Sequence, residues 1–129
     1  IMGNDIRYLK TKNETFPFTY SLNVMEALQN EFGSLNEWSD MVEPKDGSEP
    51  KIKALLFFFK EAINEGIDIE NENSDQPRKF VNERKVGRII TELGVKTVLE
   101  QLKGTVIDAG SNDDTEVDET KNVITTQNQ

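Results

Sequence analysis

The chain has 129 residues, of which 35% are apolar and 30% charged, with a formal net charge of -9 and a sequence pI near 4.5. That length holds one domain with a single core, and the low apolar fraction leaves part of the chain outside it. The charge argues against a phosphate-binding surface. With neither cysteine nor histidine, the chain lacks a disulfide, a thiolate nucleophile, an imidazole base and a zinc site of the usual kind.

Residues 5–20 have period two: Ile6 and Tyr8 alternate with Arg7 and Leu9, and Phe16, Phe18 and Tyr20 alternate with Pro17 and Thr19. This predicts a β-hairpin with Lys12-Asn13 at its turn and Pro17 on an edge. The row Phe16, Phe18, Tyr20 is either a docking edge for a partner strand or, as such rows more often are, the hairpin's buried face. Ser21 is suited to cap a helix over Leu22–Phe32 with Val24, Met25, Leu28 and Phe32 on one face, and Gly33 stops it. Ser34 and Glu37 have capping-box spacing for a short helix carrying Leu35, Trp38 and Met41 or Val42. Trp38 is read as a core anchor ahead of an exposed hot spot.

Pro50–Asn64, PKIKALLFFFKEAIN, is the densest apolar stretch and predicts the central helix. Ile52, Leu55, Leu56, Phe59, Ala62 and Ile63 form its stripe, with Phe58 at the margin, Pro50 at the first helical position and Gly66 as the terminator. Phe57 points away from the stripe and needs a second packing surface or a partner. Ile67–Arg78 reads as a polar acidic loop. Its Asp68, Glu70, Glu72 pattern lacks the glycine and the bidentate glutamate of a calcium loop, since Asn73 and Lys79 stand there. No metal or cofactor is expected.

A fourth helix is predicted from about Asn82 to Leu93, with Val86, Ile89, Ile90 and Leu93 on one face and Phe80 as a staple-like contact. Gly87 within it implies a close approach or a spot where nothing larger fits. After Gly94, the positions Val95, Val98, Leu99, Leu102 and Val106 predict a last helix, packed antiparallel to the fourth. Arg78, Lys79, Arg84, Lys85 and Arg88 make this segment basic within an acidic chain. From Asp108 the sequence is acidic and poor in apolar residues, so 108–129 is expected to be disordered alone. The expectation is therefore an α+β, predominantly helical domain over 1–107, its hairpin (about 5–20) packed on a small bundle of about five helices (about 22–107), followed by an acidic tail.

No stretch approaches the ~20 apolar residues of a membrane span, and neither a phosphate-cradling glycine motif nor a carboxylate pair across a cleft is evident. A non-enzymatic protein acting by surface contact is expected, without nucleic acid or membrane as partner. The stretches FPFTYSLNVMEALQNEFGSLNEW, KALLFFFKEAIN with Gly66, and VGRIITELGVKTVLEQL, then an acidic tail with Thr120-Lys121-Asn122, resemble the tail assembly chaperones of long-tailed phages and prophages of Gram-positive bacteria. The resemblance spans Ile6 to Leu102. It implies a cytoplasmic chaperone, absent from the mature virion, that binds the tape measure protein, keeps it soluble and helps recruit tail tube protein. In that family a longer frameshifted product often makes the tube contact, and Thr120-Lys121-Asn122 is compatible with a slippery codon run. Phe57, Trp38, Phe16, Phe18 and Tyr20 are the candidates for the partner-binding patch, and self-association is left open. The alternative is an acidic adaptor, or a regulatory protein that mimics nucleic acid through Asp108–Glu119.

Overall fold

The period-two segment forms the expected hairpin. In the computed structural model, which describes residues 5–111, β1 (Arg7–Lys10) pairs antiparallel with β2 (Thr15–Phe18). Leu9 stands opposite Phe16 and Lys10 opposite Thr15, so Lys12-Asn13 forms the tip. The Thr11 amide donates to the Glu14 carbonyl at 2.8 Å beneath it. Five helices follow: α1 (Leu22–Phe32), α2 (Leu35–Val42), α3 (Ile52–Asn71), α4 (Glu83–Leu93) and α5 (Val95–Ser111). The chain is thus α+β and mostly helical.

Both predicted caps are made. The Ser21 and Ser34 hydroxyls accept from the amides of Val24 and Glu37, each satisfying a donor that a helix start leaves orphaned. Gly33, at φ 98°, ends α1 and leads directly into the second cap.

The central helix differs from its sequence reading at both ends. Lys51 is its N-cap, so Pro50 lies outside it, and the helix continues through Gly66 to Asn71. Gly66 serves close approach rather than termination. A Cβ there would sit 2.9 Å from the Pro17 carbonyl carbon and 3.0 Å from the Phe18 nitrogen, and its absence lets the backbone of β2 lie on α3. One turn earlier, the Ala62 carbonyl accepts the Thr19 amide at 3.1 Å. The buried arc also turns relative to the predicted stripe. Ile52 is 52% exposed, Leu56 is half-buried and Phe58 is fully buried, alongside Ala54, Leu55, Phe59, Ala62, Ile63 and Ile67. A helix contacted by β2, α1, α2 and α4 buries a wider arc than a one-sided amphipathic pattern implies.

Phe58 is the hub of the core. Its ring stacks on Trp38 (centroids 5.2 Å apart, planes at 24°), meets Phe59 edge-on at 5.0 Å and lies 6.0 Å from Tyr20. The Trp38 indole N–H donates to the Ala54 carbonyl at 3.3 Å, satisfying the polar edge of a buried ring.

Between α3 and α4 the chain returns along α3, held by two asparagines. The Asn71 amide donates to the Arg78 carbonyl and accepts the Arg78 amide, at 2.9 and 2.8 Å; Asn64 does the same with Val81 at the same distances. Seven helical residues rise about 10.5 Å, and the three steps from Arg78 to Val81 cover about 10 Å when nearly extended. The spacings match. Asn82 then caps α4. Val81, immediately before the cap, packs on the core, while Phe80 is 60% exposed and is not the staple expected of it. Gly87 is not crowded: an added Cβ would meet only Leu56, at an ordinary 3.8 Å.

Gly94, at φ 96°, ends α4, and its carbonyl accepts the first bond of α5, from Val98. Val98, Leu102 and Thr105 are buried; Val95 is 37% exposed and lies off the packed face. The α5 backbone runs to Ser111, past the boundary at 107 expected from the sequence. The remainder of the acidic tail, Asn112 to Gln129, lies outside the described residues.

Gly66→Ala should lower stability by about 1–3 kcal/mol through overpacking against β2, whereas Gly87→Ala should raise it by up to about 1 kcal/mol; urea denaturation of the two variants checks both signs. Burial pushes the Tyr20 phenol up to about 12, and the Tyr8 phenol is raised by its hydrogen bond to Glu70. An unfolded tyrosine titrates near 10, so the fold holds the Tyr20 proton more tightly. That contribution is complete below pH ~10 and is lost as pH rises through about 12. Phenolate absorbance should therefore rise with unfolding in that window, and a Tyr20 that ionised near 10 in a folded chain would contradict its burial.

Candidate interaction surfaces

Four of the five residues proposed from sequence as a partner-binding patch are interior. Phe16, Phe18, Tyr20 and Trp38 are between 0% and 8% exposed. Phe18 meets Phe59 edge-on at 5.7 Å. Phe16 is covered by the Arg78 guanidinium, 4.7 Å from its ring centroid, and by the Lys85 ammonium at 5.6 Å. The row is thus buried, the commoner of its two readings, and so are Pro17 and Thr19 between its members. Phe57 alone of the five is half-buried. Its ring lies edge-on to Phe32 at 5.4 Å, with the Lys60 ammonium 5.2 Å from its centroid, so α1 supplies only part of the second surface it needs.

Two of the concave surfaces among the described residues bring together candidate residues distant in sequence. One is an apolar groove of about 420 Å³ between α2 and α5. Trp38 and Val42 from α2, with Leu99, Leu102 and Val106 from α5, line it. Across the rim, the Lys103 ammonium is 2.6 Å from the Glu43 carboxylate, which holds the lysine pKa above its ordinary value. An exposed pair of this kind adds little stability, but it fixes a charged boundary beside an apolar floor. Such a groove accepts the apolar stripe of an amphipathic helix. Leu99 and Val106, half-buried at i and i+7 of α5, were legible as helix-face residues, whereas their pairing with Trp38 depends on tertiary structure.

The second surface is basic, about 290 Å³, at the junction of the hairpin with α4. Arg78, Lys79, Lys85 and Arg88 border it together with the exposed Phe80. Glu14 enters from the hairpin and is held by Lys85 at 2.9 Å and Arg78 at 3.6 Å. Arg78 also donates to the Thr15 carbonyl at 2.8 Å. Lys79 and Arg88, and Arg84 on the same helix, make no ion pair with the described residues.

Among the described residues no three or more Asp or Glu side chains converge as they would around a metal ion, and no helix is long and apolar enough to cross a membrane. Comparison with protein-family models, with curated proteins and with solved structures finds no match to this chain.

Proposed function

We propose that this protein is a non-enzymatic chaperone for phage tail assembly, one that holds amphipathic helices of the tape measure protein in the groove between α2 and α5. The observation that carries this reading is the groove itself: a floor of Trp38, Val42 and Leu102 at the surface of the core, half-buried Leu99 and Val106 along its wall, and a flank of charge. A long helical client with an exposed apolar stripe needs a matching surface to stay dispersed. The net charge of -9 supplies the repulsion that keeps a loaded complex soluble. The sequence resemblance to tail assembly chaperones supports the same assignment. The same resemblance implies action in the bacterial cytoplasm during morphogenesis, absence from the mature virion, and help in recruiting tail tube protein, by this chain or by a longer frameshifted form.

The test is co-expression with the tape measure protein of the same genome, scoring client solubility and co-elution. The chain should rescue and co-elute with the client. Leu99→Glu should leave a cooperative melt but abolish rescue, because a carboxylate in the groove must be desolvated when the client seats. Phe57→Asp separates the surfaces: rescue that survives Leu99→Glu and fails in Phe57→Asp would move the client site to the Phe32–Phe57 face. A client that stays insoluble beside folded chain, with and without the longer product, overturns the chaperone reading.

A further inference from the structure

The basic groove at the hairpin–α4 junction is separate from the groove assigned to a client, and its chemistry is opposite to that of the chain as a whole. Four cations border it against one acid, and the ring of Phe80 stands 60% exposed at its edge. A hydrophobic residue this large, left in solvent beside unpaired cations, fits an acidic segment that carries apolar side chains. The groove already holds one carboxylate in this way. Glu14 is held by Lys85 and Arg78, the two cations that cover Phe16, and Lys79 and Arg88 on the border, with Arg84 one turn before Arg88 on α4, remain for further carboxylates.

We propose that the acidic segment Asp113–Glu119 of this same chain docks in the basic groove bordered by Arg78, Lys79, Lys85 and Arg88. The sequence there, DDTEVDE, places five carboxylates within seven residues, and Val123-Ile124 follows with the apolar side chains that Phe80 lacks. The Glu119 end of the run is within reach of the groove. Helices α4 and α5 meet at Gly94, so at 1.5 Å per residue Ser111 lies no more than about 35 Å from Arg88, whatever the angle between them. Eight extended residues from Ser111 to Glu119 span up to about 28 Å, and the long Arg and Glu side chains cover the rest. A short tether also raises the local concentration of the segment to the millimolar range, so weak ion pairs suffice to populate the docked state. Because the pairs are exposed, docking is salt-sensitive.

The chain has no cysteine, so Thr120→Cys in the full-length protein gives one site for a nitroxide spin label. Amide signals of residues 78–88 should broaden selectively. Broadening should be lost at high salt and in the Arg84→Glu/Arg88→Glu double variant, whose changed side chains are exposed and leave the core untouched. Absence of broadening in 78–88, or broadening that persists after charge reversal, overturns the proposal. Mixing spin-labelled, isotope-free protein with unlabelled, isotope-enriched protein reads contacts between copies; broadening of equal strength in that mixture would show the segment serving a neighbour and overturn docking in its own domain.

Discussion

The fold depends on the approach of β2 to α3 at Gly66. A two-stranded hairpin is marginal alone in water, and this one is stabilised by lying directly on a helix, backbone to backbone. The missing side chain at Gly66 permits the approach, and the bond from the Thr19 amide to the Ala62 carbonyl fixes its register. That position orients Phe16, Phe18 and Tyr20 inward, where Phe18 and Tyr20 complete the aromatic cluster around Phe58 and Phe59. Trp38 closes the cluster from α2 and in doing so becomes the floor of the apolar groove. The groove is thus the outer side of the core, with no separate layer between them.

The same helix organises the opposite side of the molecule through hydrogen bonds. Asn64 and Asn71 each present an amide that pairs with a backbone as a neighbouring strand would, and together they lay Arg78–Val81 along α3. The placement of the basic residues follows from this. Arg78 is delivered over Phe16 and beside Glu14, and Lys85 joins it from the first turn of α4. Each such bond is worth about a kcal/mol net, modest against the hydrophobic core, but four of them select one path for a segment with few apolar residues.

Local signals in the sequence read well and tertiary ones did not. Ser21 and Ser34 announce helix starts because capping is decided within four residues, and the period-two hairpin with Lys12-Asn13 at its tip is equally local. Gly66 was misread because helix termination and close approach both call for glycine, and only the neighbour at Pro17 distinguishes them. Ile67–Asn71 passed for loop since its acidic residues mask the single core position Ile67. Phe80 was assigned a staple that the smaller Val81 fills, one residue closer to the cap. Burial of Trp38 and of Phe16, Phe18 and Tyr20, the commoner reading of each, is legible from residue type, whereas the place of Trp38 under the groove depends on α5, more than fifty positions away.

Gly94 gives α5 a mechanical character that differs from the rest of the bundle. The wall of the apolar groove is a rod of about 25 Å joined to α4 through one residue with no side chain and no neighbour within 4 Å of where one would be. Two backbone dihedrals therefore set the angle of the whole rod. A rotation of about 10° at that pivot moves the far end by roughly 4 Å, comparable to the difference between a small and a large side chain on whatever lies in the groove. What holds that angle is the packing of Val98 and Leu102 in the core, so the width of the groove is set by two buried side chains acting on a pivot that imposes no preference of its own.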